Sequence, residues 1–202
     1  MNRVHERTTM NLELHTSRLL LRPLRFDDVD LGIEMFTDPE AVRYVGGLLS
    51  EEKIRAEMSN YVKRGGGGCI GIWCAIERST SEKVGTGALL PMPVEEDDTN
   101  WDLVDGPDIP DGDIEVGYIL KPSAWGQGYA TEICQSLLRF AFEETPLVAV
   151  VACIDDENRD SKNVLTKCGF IEEGRRMAYG EKILCYRTTR AQWSRFGASK
   201  QD

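Results

Sequence analysis

The alternation of hydrophobic and polar positions divides this 202-residue chain into two main kinds of segment. Short apolar or alternating runs bounded by Gly, Pro, Asp or Ser are typical of β-strands. Such runs predict strands over residues 12–24, 70–77, 83–92, 113–120, 147–154, 170–177 and 181–190. The run at 147–154, LVAVVACI, is continuous rather than alternating, which indicates a strand buried on both faces.

Four other segments repeat apolar residues every three or four positions, as amphipathic helices do. The predicted helices start after Asp27 as N-cap, at Ser50, after Gly128 and at Asn158. The third helix separates the strands at 113–120 and 147–154. These two strands are therefore predicted to be parallel, with a right-handed crossover.

Two segments fit neither pattern. Gly65 to Gly68 are interpreted as a flexible connector, because no strand precedes them and no GK[ST] follows, as a nucleotide-binding loop requires. Residues 95–113 form a long acidic loop without periodicity, and loops of this length are usually functional or disordered. Residues 1–11 are expected to be a mobile arm, and residues 12–202 a single domain with 95–113 as an insertion.

A glycine-containing turn, Trp125-Gly126-Gln127-Gly128, connects the strand at 113–120 to the third helix. Glycine permits the backbone bends that direct several N–H groups to one point. A helix N-terminus adds unpaired donors and the positive end of its dipole. This turn is therefore suited to bind a diphosphate.

Cysteine and histidine usage restricts the chemistry. The six cysteines, Cys69, Cys74, Cys134, Cys153, Cys168 and Cys185, form no CxxC pair and are interpreted as buried reduced thiols. Only His5 and His15 are present, which argues against a zinc site and a Ser-His-Asp triad. The polar N-terminus lacks an apolar signal core, and the chain lacks an apolar run of membrane-spanning length, so a cytoplasmic protein that makes no membrane contact is expected.

The net charge of −10 is concentrated in one stretch. Residues 95–115 contain no Lys or Arg and ten acids: Glu95, Glu96, Asp97, Asp98, Asp102, Asp105, Asp108, Asp111, Asp113 and Glu115. This stretch argues against nucleic acid as a partner and favours a cationic one. A calcium site at residues 105–113 is a further interpretation, although the spacing is not that of an EF-hand.

Three segments resemble, in order, those of the GNAT superfamily of N-acetyltransferases, and in particular its ribosomal-protein N-terminal acetyltransferase branch. They are TSRLLLRPLR at 16–25, EVGYIL with WGQGYATE at 115–132, and Asn158-x-x-Ser161 followed by Lys167-Cys168-Gly169-Phe170. Trp125 replaces the polar first residue of the family's Gln/Arg-x-x-Gly-x-Gly/Ala turn. The resemblance implies the GNAT fold: an α/β (α+β) fold whose mixed, mostly antiparallel central sheet has one splayed parallel strand pair and flanking helices.

The resemblance also implies that acetyl-CoA is the co-substrate and identifies the residues that bind it. The diphosphate would lie on Trp125, Gly126, Gln127, Gly128, Tyr129, Ala130 and Thr131, and the pantetheine arm on Asn158. If Ile119 and Leu120 splay from the next parallel strand, their backbone groups can also pair with the pantetheine arm as an added strand would. Ser161 would face the thioester sulfur. Structural alternatives stay open for several of these: Tyr129 and Ala130 as first-turn helix residues, Trp125 as a core aromatic residue, and Asn158 with Ser161 as a helix cap.

Two carboxylates are candidates for the general base. Glu115 shares a strand face with Gly117 and Ile119, and it would accept the amine proton through water if that face is directed toward the cleft. Glu181, at the tip of the predicted final hairpin, is the rival, because family members place acceptor-side groups there.

The sequence thus predicts direct transfer of an acetyl group from acetyl-CoA to a primary amine, with the α-amine of a protein or peptide N-terminus favoured. An α-amine has a pKa of about 7.7 to 8.0, so a larger fraction of it is neutral at pH 7 than of a lysine, whose pKa is about 10.4. It therefore needs less help from a base. The alternatives are acetylation of a small-molecule amine and a non-catalytic acyl-CoA-binding module. A dinucleotide-binding fold is a weaker rival, since the Gly-x-Gly-x-x-Gly spacing is absent. The oligomeric state stays open, a homodimer included.

Overall fold

The structure is a computed structural model that describes residues 10–198. Its strands are β1 (Leu14–His15), β2 (Leu19–Pro23), β3 (Arg64–Gly65), β4 (Ile70–Glu77), β5 (Lys83–Pro91), β6 (Ile114–Leu120), β7 (Ala149–Ile154), β8 (Ile171–Ala178) and β9 (Glu181–Thr189). Its helices are α1 (Val29–Phe36), α2 (Glu51–Tyr61), α3 (Tyr129–Glu143), α4 (Arg159–Lys167) and α5 (Arg190–Ala198). The predicted mobile arm falls mostly on residues 1–9, which lie outside the described residues.

The strands form one mixed sheet in the order β1-β2-β4-β5-β6-β7-β9-β8, with β3 added beside β4. Every neighbouring pair is antiparallel except β6 and β7. That parallel pair has a single register position, Glu115 opposite Val151, although both strands continue beyond it. The predicted fold class, with one splayed parallel pair, is confirmed.

Helices cover both faces of the sheet. Ile133 and Leu137 of α3 lie so close to β5 that a Cβ at Gly87 would be 2.5 Å from the Ile133 side chain. On the opposite face, Leu31 and Met35 of α1 pack with Ile119 of β6. Because side chains alternate along β6, Glu115 lies on the same face as Ile119.

The first helix is anchored differently from the prediction. Asp27 is not its N-cap: residues 26–28 form a 3-10 turn, and α1 begins at Val29. The next carboxylate, Asp28, is buried and bonded to both terminal nitrogens of Arg22 at 2.7 and 2.8 Å and to Lys83 Nζ at 3.0 Å. These partners come from β2 and β5, so local sequence could not identify them.

Two segments near the sheet edge also differ from the prediction. Residues 12–24 are not one strand but the hairpin of β1 and β2. Gly65 to Gly68 are not a flexible connector: Gly65 pairs with Ile70, and residues 66–68 form a 3-10 turn. A Cβ at Gly65 would lie 2.2 Å from the Val104 carbonyl oxygen, so the glycine is required by close packing against the acidic loop.

The prediction that all six cysteines are reduced is wrong for two of them. Cys153 of β7 lies directly opposite Cys185 of β9, with Cα atoms 4.3 Å apart, and the two form a disulfide. The register between strands 32 residues apart along the chain cannot be inferred from cysteine spacing. Cys69, Cys74, Cys134 and Cys168 are free and buried.

The remaining predicted elements agree with the structure within a few residues at their ends. Ser50 caps α2 by accepting a hydrogen bond from the Lys53 N–H, and Gly169 ends α4 with a φ of +82°. The short strand β3 and the last helix, α5, were not predicted. Within residues 10–198, no helix is both long enough and apolar enough to cross a membrane.

Candidate active site

The splayed parallel pair creates a cleft in the middle of the sheet. Ile119 and Leu120 pair with Thr86 and Gly85 of β5. Within β6, Glu115 alone has a partner in β7, so residues 119 and 120 have none there. The β7-facing backbone of residues 119 and 120 therefore lines the gap. An extended ligand with amide groups can bind such an edge as an added strand would.

The glycine-containing turn lies at one end of this gap. Gly126 and Gly128 have φ values of +72° and +81°, and α3 begins at Tyr129. Gly128 occupies the N-cap position without a side-chain cap. The N–H groups of the first turn, including those of Ala130 and Thr131, are thus not capped by the side chain, as an anion site requires.

Trp125 does not belong to the hydrophobic core. The residue is 45% exposed, and its indole N–H donates to the Leu120 carbonyl oxygen at 3.0 Å. This bond connects the end of β6 to the glycine-containing turn. The next side chain in the turn, Gln127, is exposed, and its Nε2 donates to the Ser123 carbonyl oxygen.

Arg18, which was not predicted as a site residue, connects the glycine-containing turn to the first turn of α3. Its guanidinium donates to the Gln127 carbonyl oxygen at 2.8 Å and to Glu132 at 2.8 Å, and its Cζ lies 4.6 Å from the Tyr129 ring centroid. Tyr129 is buried, and its hydroxyl donates to Glu77. Any phosphate contact of Tyr129 would therefore come from its backbone N–H. Arg18 stands in the TSRLLLRPLR segment, which was the available signal.

Asn158 and Ser161 lie together at the start of α4. Asn158 Oδ1 accepts a hydrogen bond from the Ser161 N–H at 3.0 Å, so the capping alternative holds for Asn158. A bond to pantetheine would then use the amide nitrogen of Asn158. The Ser161 hydroxyl lies 2.8 Å from that of Tyr118, which belongs to β6 and was not predicted as a site residue. Burial raises the pKa of Tyr118 and keeps its phenol protonated.

Glu115 is buried where β6 and β7 pair. One carboxylate oxygen accepts the Cys153 N–H at 2.7 Å, and the other accepts the Tyr179 hydroxyl. Burial raises the pKa of Glu115 to about 7, even though these two bonds and the charge of Arg176 act in the opposite direction. The carboxylate can therefore exchange a proton near neutral pH.

Glu181, the rival base, occupies a different environment. It is the first residue of β9, it pairs with Ala178 across the hairpin turn, and it is exposed. Tyr179 of the same turn reaches Glu115 instead. The structure thus groups Glu115 with Tyr179 and Ser161 with Tyr118, whereas Glu181 lies at the surface.

The acidic loop is packed against β3 and α2. Val104 is fully buried, and the Trp101 ring lies 5.4 Å from that of Tyr61 in α2. Asp113 is bound by Arg187 at 2.9 Å and by Arg176 at 2.6 Å. Although burial opposes it, these bonds lower the pKa of Asp113. Asp113, one of the carboxylates in the calcium interpretation, is thus paired with two arginines.

Comparison with known proteins identifies the family. Residues 18–171 match the acetyltransferase (GNAT) domain family, and the chain therefore belongs to the GNAT acetyltransferases. A Bacillus subtilis protein, YkkB, is 28% identical over 78% of this chain and 84% of its own length. An FsC-acetyl coenzyme A-N(2)-transacetylase from Aspergillus fumigatus is 28% identical over 77% of this chain and 63% of its own length.

Solved structures show the same fold. A GNAT-family acetyltransferase from Bacillus anthracis superimposes with a TM-score of 0.69 over 89% of this chain and 99% of its own, at 21% identity. A spermidine N-acetyltransferase from Vibrio cholerae, solved with CoA and spermine, gives a TM-score of 0.66 over 89% of this chain and 99% of its own, at 15% identity. These likenesses establish the fold.

Proposed function

We propose that this chain transfers an acetyl group from acetyl-CoA to the α-amine of a peptide or protein N-terminus. The observation that carries the proposal is the buried Glu115 carboxylate, with a pKa of about 7, at the pairing point of the two splayed strands. A base that is half ionised at neutral pH suits an acceptor whose pKa is about 7.7 to 8.0.

The coenzyme would be bound mainly by backbone groups. The turn from Trp125 to Thr131 would bind the diphosphate, and the open edge at Ile119 and Leu120 would pair with the pantetheine amides, with Asn158 beside them. The thioester would then lie between Glu115 and Ser161. Alignment of the two reactants can lower the barrier by about 7 to 11 kcal/mol.

The transfer itself needs no covalent enzyme intermediate. The neutral amine nitrogen attacks the thioester carbonyl carbon, forming the C–N bond, and the C–S bond then breaks. The amine proton passes to Glu115, directly or through water, and the sulfur leaves as a thiolate that takes a proton from the Ser161 hydroxyl. Glu115 then releases its proton to water and the Ser161 oxygen regains one from water, which returns both groups to their starting state. Tyr118, bonded to Ser161, supports that hydroxyl. Glu181 is the alternative base.

The acceptor is expected to be cationic in solution. In the acidic loop, the charge of the Asp98 carboxylate contributes to raising the pKa values of Tyr61 and Tyr179. For Tyr61, burial and then the charges of Asp98 and Glu57 raise the pKa to about 12. The loop thus extends its charge to the Glu115 side of the sheet and would attract protonated amines before deprotonation. The same charge suits a small polyamine, the second candidate acceptor, whose class the spermidine N-acetyltransferase acts on.

An acceptor panel tests the proposal. Thiol release from acetyl-CoA is measured with peptides that have a free α-amine, with the same peptides N-formylated but containing lysine, and with spermidine. Turnover with only the free α-amine peptides supports the proposal, and mass spectrometry should locate the acetyl group on the first residue. Turnover with spermidine alone would replace it by the polyamine function. Coenzyme binding without turnover of any amine would instead indicate a non-catalytic acyl-CoA-binding module.

A further inference from the structure

The turn between β8 and β9 contains a tyrosine at an unusual backbone position. The turn consists of Tyr179 and Gly180, with φ values of +54° and +71°. Two-residue hairpin turns with positive φ at both positions favour Asn-Gly or Gly-Gly, because a bulky side chain is strained in the left-handed region. Tyrosine at the first position therefore needs an explanation other than turn formation.

The side chain of Tyr179 supplies that explanation. Its hydroxyl donates to one oxygen of Glu115, while the Cys153 N–H of β7 donates to the other at 2.7 Å. Both carboxylate oxygens are thus held by donors from outside β6. Burial and the Glu115 charge raise the pKa of Tyr179, so its phenol stays protonated and acts as the donor.

The turn itself is fixed by the segment that leads into the acidic loop. The backbone N–H groups of Tyr179 and Gly180 donate to the carbonyl oxygens of Pro93 and Val94 at 3.2 and 3.1 Å. This clamp fixes the hairpin end relative to β5, which ends at Pro91. The backbone that carries the Tyr179 side chain is therefore held in place, and so is its hydroxyl.

We propose that Tyr179 is a positioning residue for Glu115: its hydroxyl fixes the carboxylate at the point where β6 and β7 pair and stabilises the ionised form that accepts the amine proton. This inference rests on the proposed function, since it requires Glu115 to act as the base. It explains why a strained turn position carries a tyrosine.

The groups around Glu115 determine the direction in which its pKa should move when the Tyr179 hydroxyl is removed. The groups that act on it are the Tyr179 hydroxyl from the turn, the Cys153 N–H from β7 and the Arg176 cation from β8, and each favours the ionised carboxylate. Cys153 is disulfide-bonded and does not titrate. Asp113 balances Arg176 in turn. Loss of the Tyr179 hydroxyl should therefore raise the pKa of Glu115.

Tyr179→Phe tests this, because it keeps the ring and removes only the hydroxyl. The Glu115 limb of the pH profile of kcat/KM for the amine should move up by about one unit, which lowers the rate about fivefold at pH 7 but little above pH 9. The limb of the acceptor α-amine should stay in place. KM for acetyl-CoA should be unchanged. A purely structural role would lower the rate equally at every pH.

Tyr186→Phe is the matched control, since it removes a comparable bond from the same hairpin, that of Tyr186 to Glu172 at 3.0 Å. Its pH profile should equal that of the parent. Tyr179→Asn, which suits the turn better, should fold and yet show the same raised limb. Carbon NMR of the Glu115 carboxyl, assigned with Glu115→Gln, should report the raised pKa directly in Tyr179→Phe without needing turnover.

An unchanged Glu115 pKa in Tyr179→Phe would overturn the inference, even if the parent protein is an active acetyltransferase. Absence of turnover in the parent with every amine would instead overturn the proposed function. The NMR titration separates these two results.

Discussion

Asp28 and Glu115 are the buried carboxylates in the described part of the chain, and their pKa values move in opposite directions. Asp28 faces the cations Arg22 and Lys83 and stays ionised. Glu115 lies between an N–H and a phenol and can titrate near neutrality. The first arrangement stabilises the fold, whereas the second suits proton transfer.

Glu115→Gln should remove the limb of the pH–rate profile near 7. Activity requires the ionised carboxylate, so kcat/KM of the parent should rise as the pH passes through about 7. The variant should lose about 10²- to 10⁴-fold in rate and keep only the limb of the acceptor α-amine. Steady-state kinetics from pH 5.5 to 9.5 measure this. Glu181→Gln serves as the comparison, and a larger loss there would identify Glu181 as the base.

Asp28→Asn should destabilise the fold by about 3 to 5 kcal/mol, because it leaves the Arg22 guanidinium buried without a carboxylate. Burial alone would raise the pKa of Asp28, but the bonds from Arg22, the Arg25 N–H and Lys83 lower it to about 2. Because the folded pKa lies below the unfolded one, about 2 kcal/mol of stability is present above pH 4 and lost as the pH falls toward 2. The parent, but not the variant, should show this loss.

Urea unfolding at several pH values measures both effects. Asp30→Asn is the control, because Asp30 binds the same Lys83 but its side chain is 69% exposed. Its loss should be about 1 kcal/mol or less. Equal losses in the two variants would contradict a special role for the buried pair.

Sequence could select some site residues but not their partners. Asn158, Ser161 and the glycine-containing turn stand in short motifs, and strand alternation alone placed Glu115 on one face of β6. Tyr118 and Tyr179 escaped because their roles depend on contacts with residues 43 and 64 positions away. A tyrosine in a strand or turn carries no local mark of such a contact.

At the scale of elements, the junction of β6, the glycine-containing turn and α3 determines the proposed diphosphate site. Gly128→Ala should destabilise the turn by about 1 to 2 kcal/mol, since its φ is +81° and alanine is strained there. Among the described residues other than its chain neighbours, Arg18 Nη2 at 3.6 Å is the one heavy atom within 4 Å of the added Cβ, so the effect is one of backbone strain. KM for acetyl-CoA should rise about tenfold, with kcat less affected.

Gly174→Ala is the control for that prediction. Gly174 has a φ of +86° at the irregularity in β8, and no described residue except its chain neighbours lies within 4 Å of the position that a Cβ would occupy there. It should lose similar stability without a change in KM for acetyl-CoA. A rise in that KM in both variants would show that general loosening, and not the turn, is responsible.

The pairing of β7 with β9 gives a chemical prediction. Alkylation of the denatured chain without reductant should label the four free cysteines, and all six after reduction. Labelling of six cysteines without reductant would contradict the disulfide. Sequence periodicity predicted both strands, but not that Cys153 and Cys185 would be opposite one another, because register is set by the packing of the whole sheet.

For the whole molecule, the order of elements was predictable because each long element has its own period and caps, and the three motifs fix the topology. The exceptions share a cause. The β1–β2 hairpin, the ordered Gly65–Gly68 turn and α5 depend on packing against distant segments, such as Val104 beneath Gly65. Local pattern contains no record of those contacts.

The uneven charge of the molecule leads to a last prediction, on how acceptors approach. Glu96 and Asp97 are exposed in the acidic loop, at the end that is near the clamp on Tyr179. The double variant Glu96→Gln, Asp97→Asn should raise KM for a cationic acceptor several-fold at low ionic strength, with kcat and KM for acetyl-CoA unchanged. The difference should disappear at about 1 M salt, where the Debye length is about 3 Å.

The matched control is the double variant Glu143→Gln, Glu144→Gln, which removes two exposed acids at the end of α3 and should have no effect on KM for the acceptor. Equal KM values for both double variants would mean that the loop charge does not attract the acceptor.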